Sequence, residues 1–412
     1  MTLSTTWREA ESKHWLASSA PEVIETAADG QIDLSTGSPN FSVHLEVKEA
    51  IAARVREIDH LDYPPANGDE KLRTAIADFD REHLKATYNA GQVVITYGAM
   101  QALSDVVGSV AGPGDEVLLP TPYWFQFPNI VRLNGAVPRD IRTYPGNNFK
   151  LTPKLLHEAI TSRSRLLILT NPNNPTGAVY TRDELADLVG VLKLHPSLAV
   201  VSDEVYNLLF PGTSGLEAAP SLSSFADIAK RVIVVNSFAK NYAMSGLRVG
   251  YAATPDAALV DRITWRQRFT SLGVNRYLQA GALAGLGATK KIVGDINAAL
   301  VKRREKAGEL LASVPRFTFI PPQAAYYYWV NVSGWFGCRY VDGEESKVIR
   351  DDKDLATFLT LAIPDLPPGV SVANGTSCGM PGYFRITYAV SEATFAEGVK
   401  RIRQRLDLLQ CG

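Results

Sequence analysis

Ser237, Lys240 and Arg248 are the residues whose types and spacing first point to chemistry. They lie within VIVVNSFAKNYAMSGLRVGY, residues 232 to 251. A hydroxyl, an amine and a guanidinium held together suit a ligand that is anionic and bears a carbonyl. Something must hold them in place. Val232, Ile233, Val234 and Val235 open the stretch as a β-branched run, which reads as a strand buried on both faces of a parallel sheet. Ligands of such sheets sit beyond the carboxyl ends of the strands, where these three side chains fall. Gly246 and Gly250 let backbone approach closely.

The same design recurs along the chain. VVITYGAMQALSDVVGSV at 93 to 110 reads as strand, glycine and helix, and the turn Gly98, Ala99, Met100 offers free N–H groups at a helix N-terminus, where about half a positive charge awaits an anion. It lacks the glycines of a dinucleotide fingerprint or a Walker loop. A buried strand from Glu116 to Leu119 runs into Pro120, Pro122, Tyr123 and Trp124. LLILTNPNNPTGAVY at 166 to 180 carries an apolar strand into two Asn-Pro steps, which impose an extended, rigid turn around Asn174. LAVVSDEVYNLLF at 198 to 210 ends a strand on Asp203, with Tyr206 three residues on. YFRITYA at 383 to 389 is a strand bearing one guanidinium, Arg385. Each feature has a plain alternative: a helix-capping Asp, a packed Tyr, a surface Arg, a turn. Strand and helix alternating from 93 to 250, with polar groups at the strand exits, imply an α/β fold with a mostly parallel sheet flanked by helices.

Taken in order, these motifs resemble the class I and II aminotransferases, the fold-type-I family of pyridoxal phosphate enzymes. Ser237 and Lys240 followed by A-M-S-G-L-R-V-G-Y is similar to the family's cofactor-lysine segment, and the likeness extends over roughly residues 34 to 389. It implies pyridoxal 5'-phosphate joined to Lys240 as an imine, with Lys240 then serving as general acid and base. Asp203 would hold the pyridine nitrogen protonated, Tyr206 and Asn174 would donate to the phenolic oxygen, and Tyr123 would stack on the ring. Ser237, Arg248 and the N–H groups of Gly98, Ala99 and Met100 would hold the phosphate. Gly37, in IDLSTGSPNF, would lie near the substrate carboxylate, which Arg385 would clamp together with Asn174. Tyr63, in DYPPANGDEKL, would reach the cofactor phosphate of a neighbouring subunit, making the active site a property of a homodimer. The implied activity is transfer of an amino group between an L-amino acid and a 2-oxo acid. The chain departs from the family pattern at NGTSCG, where Asn374 and Cys378 replace a proline and an aromatic near the substrate. That departure keeps an alternative open, in which the same cofactor chemistry ends in elimination, replacement or cyclisation. A regulator binding the cofactor without turnover is a third reading.

The bulk composition agrees with a small-molecule enzyme. A chain of 412 residues suits two domains; the resemblance implies a segment 1–45 belonging to a small domain, a large cofactor-binding domain 46–299 and the small α+β domain 300–412. Lys and Arg number 42 against 43 Asp and Glu, which gives no electrostatic case for nucleic acid or an anionic membrane. The three cysteines, Cys338, Cys378 and Cys411, are odd in number and widely spaced, which argues against a disulfide framework or a metal site and for a reducing, cytoplasmic setting. Residues 1 to 30 read as a polar helix anchored by Trp7 and Trp15, 45 to 58 and 291 to 312 as helices, 321 to 332 as a strand with alternating faces, and 343 to 354 as a charged loop.

Overall fold

The computed structural model describes residues 30–58, 62–210, 217–343 and 345–411, so the helix expected before residue 30, with Trp7 and Trp15, lies outside the described residues. In chain order the strands are β1 (Ile32–Asp33), β2 (Val93–Thr96), β3 (Glu116–Thr121), β4 (Val137–Arg142), β5 (Ser164–Thr170), β6 (Ala199–Asp203), β7 (Val232–Ser237) and β8 (Gly250–Ala253). They are followed by β9 (Thr318–Phe319), β10 (Tyr327–Asn331), β11 (Arg339–Asp342), β12 (Glu345–Val348), β13 (Val370–Ser371), β14 (Ala373–Asn374) and β15 (Tyr383–Thr387).

Seven strands form one sheet in the order β2-β8-β7-β6-β5-β3-β4. β4, β3, β5, β6 and β7 run parallel, and β8 runs antiparallel to both its neighbours. The β-branched runs form these strands because successive side chains enter opposite apolar layers. Val94, Val117, Ile168, Val201, Ile233 and Val235 pack on one face, and Val93, Leu118, Leu167, Val200, Val232 and Val234 on the other. Each such side chain removed from water contributes on the order of 1.5–3 kcal/mol. Their pairing also sets the register. Thr170 lies beside Asp203, Asp203 beside Val235, and Gly250 beside both Ser237 and Thr96, so the functional ends of β2, β5, β6 and β7 share one edge.

The smaller α+β part contains the antiparallel sheet β14-β15-β10-β9. The long helix Thr289–Ala312 leads into it. β1 pairs in parallel with β13, and Leu34 continues the contact through hydrogen bonds with Ser371 and Thr387, so early residues join the last part of the chain. Among the described residues no helix is long and apolar enough to cross a membrane.

Four expectations are corrected. The strand foreseen over 321 to 332 begins only at Tyr327, and Tyr327 to Val330 are all buried rather than alternating. Both faces are covered: Tyr328 donates to the Arg304 carbonyl of the long helix, while Tyr327 faces the cavity described below. The charged stretch taken for a loop contributes β12 to a hairpin with β11, its polar composition reflecting exposure rather than lack of structure. The same stretch also holds the start of helix Asp352–Thr360, because Asp351 caps it, accepting from the N–H groups of Lys353 and Asp354. The argument against disulfides fails, since Cys338 and Cys411 are bonded. Arg339 and Gln410 exchange two backbone hydrogen bonds of 2.8 Å, which lay the C-terminal residues along β11 and bring together thiols 73 residues apart. Wide spacing in sequence says nothing about such a contact, and the cysteine argument for a reducing compartment goes with it.

Candidate active site

β7 delivers Ser237 to the shared edge, where its hydroxyl accepts from the Ala239 N–H and caps the single turn Phe238–Asn241 that carries Lys240. The Lys240 amine donates to the Gly37 carbonyl. Burial, then the Arg385 and Arg248 guanidinium groups, lower its pKa to about 8 against the opposing pull of Asp203. An amine so placed is a nucleophile and a proton carrier near neutral pH.

Asp203 ends β6 and is buried. Thr170 Oγ1 donates to its Oδ2 at 3.2 Å, whereas its Oδ1 is buried without a hydrogen-bond partner. Burial raises the carboxyl to about 7, although Thr170, the Val205 backbone and Lys240 all pull it down. Such an oxygen calls for a cationic N–H donor.

The Asn-Pro turn is locked by its own side chains. Asn171 accepts from the Tyr180 N–H and Asn173 from the Thr176 N–H, which leaves Asn174 facing the cavity. Its amide approaches the Tyr206 hydroxyl at 3.5 Å, and that hydroxyl lies 3.0 Å from the Tyr327 hydroxyl. Burial holds the Tyr206 phenol well above its ordinary pKa, so it keeps its proton. β15 places Arg385 between Ala373 and Trp329 of its neighbouring strands. Arg385 donates to Asn174 Oδ1 at 3.1 Å and to the Ser35 carbonyl at 2.6 Å, and its Nε has no partner. The Tyr327 ring lies 4.6 Å from its guanidinium carbon and the Phe125 ring 6.0 Å.

Arg248 sits in the left-handed region (φ 55°) and reaches the start of helix Gly98–Val110. A Cβ on Gly98, itself at φ 75°, would stand 2.8 Å from an Arg248 nitrogen. Gly250 is equally constrained, because a Cβ there would meet the Gly98 and Ala99 backbone within 2.8 Å. Two glycines thus seat a guanidinium beside a helix N-terminus, a cradle for an anion.

These groups surround one cavity of about 300 Å³. Of the residues singled out in the sequence, Gly37, Ala99, Met100, Asn174, Asp203, Tyr206, Ser237, Lys240, Arg248 and Arg385 line it, with Gly98 packed behind Arg248. Tyr63 does not line it and is 81% exposed. Nor does Tyr123, the expected ring-stacking residue. Its N–H donates to the Cys378 carbonyl and its hydroxyl lies 3.4 Å from Asp140, while its neighbour Trp124 lines the cavity instead. Asp140 and the Cys378 carbonyl, both distant in sequence, are the partners that hold Tyr123 away from the cavity. Ser35, Phe125, Tyr327 and Ser377 also line the cavity without having been singled out as site residues.

Comparison with known proteins accords with this geometry. The family model for aminotransferase class I and II matches residues 29–402. A bifunctional aspartate aminotransferase and glutamate/aspartate-prephenate aminotransferase of Petunia hybrida is 33% identical over 378 residues, 91% of this chain and 76% of that protein. The solved aspartate aminotransferase of Rhizobium meliloti superposes with a TM-score of 0.84 at 26% identity, covering 100% of this chain and 98% of the other. An aromatic aminotransferase from Pyrococcus horikoshii gives 0.81 at 26%, covering 93% and 97%. With the match running over residues 29–402, and so over every residue lining the cavity, this chain belongs to the class I and II aminotransferases.

Proposed function

We propose that the chain carries pyridoxal phosphate on Lys240 and moves an amino group between an L-amino acid and a 2-oxo acid. The observation that carries this reading is Asp203, buried at the strand edge that also bears Lys240, with one oxygen lacking a donor. A protonated pyridine nitrogen is the donor such an oxygen requires. The anion cradle of Gly98, Ser237 and Arg248 suits the phosphate, and Trp124 takes the place assigned from sequence to Tyr123. When bound, the cofactor supplies an electrophilic carbonyl and a π system that accepts the electron pair left by a departing Cα proton.

The protein's own groups do the rest. Lys240 Nζ holds the carbonyl carbon and, once released, takes and returns the Cα proton. Asp203 keeps a proton on the ring nitrogen. Asn174 and the protonated Tyr206 offer donors to the phenolic oxygen. Arg385, with an uncommitted Nε, binds the substrate carboxylate and fixes its orientation. The division at residues 45 and 299 belongs to the same proposal, supported by the pairing of β1 with β13. So does a homodimer, in which exposed Tyr63 reaches the second copy's phosphate. Elimination or cyclisation is the less favoured outcome, the relatives named above being aminotransferases.

Borohydride reduction of the loaded protein should leave a pyridoxyl group on the Lys240 peptide, and addition of an amino donor should convert the cofactor to its amine form with release of a 2-oxo acid. An unlabelled Lys240 would overturn the attachment, and an unsaturated or cyclic product with the aldehyde form retained would overturn the transfer. Arg385→Ala should raise the apparent KM about 10- to 100-fold, the scale of hydrogen bonds to a charged group, with the bound-cofactor absorbance unchanged. An unaltered KM would remove Arg385 from the carboxylate site. Only the neutral amine attacks a carbonyl, so capture of pyridoxal phosphate by the cofactor-free protein should accelerate as pH rises and level off above about 8, the Lys240 value. A midpoint near the ordinary lysine range would contradict the buried, cation-flanked setting.

A further inference from the structure

We infer that the site prefers amino acids with uncharged, apolar side chains over aspartate and glutamate. This inference deepens the aminotransferase reading and rests on it. Among the described residues three cations line the cavity, Lys240, Arg248 and Arg385. In that reading all three are committed: one to the cofactor carbonyl, one to the phosphate, one to the substrate's α-carboxylate. Asp203, the acid of the lining, is committed to the ring nitrogen.

The surface left for a substrate side chain is therefore neutral. Phe125 flanks the Arg385 guanidinium at 6.0 Å, and Ala373 is its partner across the β14–β15 ladder. Ser377, Leu103 and Met100 are further uncharged residues of the lining. A second carboxylate entering here would shed water against rings and methyl groups and find no counter-charge from this chain, which is the expensive way to bury an anion. A hydrocarbon side chain gains by the same move.

The arginines that the sequence offers nearby do not supply the missing charge from this chain. Arg266 is held by Asp105 and by Asn134 at 2.6 Å, and Arg276 lies 3.4 Å from Asp69. Arg268 is exposed on helix Ala257–Thr270, and none of the three lines the cavity. The departure from the family pattern at NGTSCG adds to this neutral wall through Ser377, while Cys378 is buried behind it with Phe149, Trp329 and Met380.

The test is rapid mixing of the loaded homogeneous protein with L-leucine, L-phenylalanine, L-asparagine, L-aspartate and L-glutamate, following conversion of the cofactor to its amine form. Leucine or phenylalanine should exceed aspartate and glutamate at least tenfold in kcat/KM, and asparagine should exceed aspartate, from which it differs by one charge. Aspartate or glutamate equal to or faster than the apolar donors overturns the inference while leaving the transfer reading intact. Failure of every donor, with cofactor bound, overturns the transfer reading and the inference with it. Met100→Lys supplies a second readout, because Met100 is 44% exposed at the lining and lysine is similarly long and unbranched. It should raise the ratio of aspartate to leucine conversion about tenfold, and an unchanged ratio would show that substrate side chains do not meet this wall.

Discussion

Lys240→Ala should abolish covalent attachment of the cofactor and lower turnover by more than about 10⁴-fold, since general acid–base catalysis alone is worth 10²–10⁴ and the nucleophile is lost with it. The loss is measured as disappearance of the visible imine absorbance together with steady-state rates at saturating donor. Misfolding is not the expected cause. Lys240 is an amine whose folded pKa is depressed to about 8, so below that pH its charged form costs the fold stability, a cost that fades as pH rises from 8 toward 10.5. In the cofactor-free protein, removing it should leave thermal stability at pH 7 unchanged or higher. Small exogenous amines should restore part of the proton transfer. Full turnover by a well-folded Lys240→Ala protein would end the reading of this site.

Asp203→Asn should lower turnover about a thousandfold, the upper end for losing one preorganised electrostatic partner, while the cofactor stays attached to Lys240. The amide keeps the volume and the contact with Thr170 but cannot hold a proton on a ring nitrogen. The readout is the separation of cofactor content, retained, from the rate of Cα deprotonation, lost. A second signature follows from the raised carboxyl pKa of about 7. The neutral form of Asp203 favours the fold, a contribution fully present below about 4 and lost as pH rises through 7, so in the cofactor-free protein the asparagine variant should lose less stability between pH 5 and 8. Turnover near that of the unaltered protein would contradict the role given to this carboxylate.

Much of this site was legible because each contributor sits where an apolar run stops. Lys240, Asp203, Asn174 and Arg385 each follow or occupy a strand whose residue types declare it, and parallel pairing then brings distant exits to one edge. Legibility failed where a side chain's direction depends on partners far away. Tyr123 and Trp124 are adjacent and equally plausible, and Asp140 with the Cys378 carbonyl decides between them. Tyr327 and Ser35 entered the cavity through contacts with Arg385 that span more than fifty residues. The hairpin β11–β12 was missed because exposed strands carry the same charged residues as loops.

The sulfur link between Cys338 and Cys411 encloses the strand of Arg385 and the segment bearing Ala373 and Ser377 in a single covalent hoop. By chain-entropy scaling, a hoop of 73 residues disfavours the unfolded ensemble by about 4 kcal/mol. Arg385 and the neutral lining at Ala373 and Ser377 thus lie within one covalently closed loop, and a peptide-bond cut between residues 339 and 410 would leave the two fragments tethered until the link is reduced.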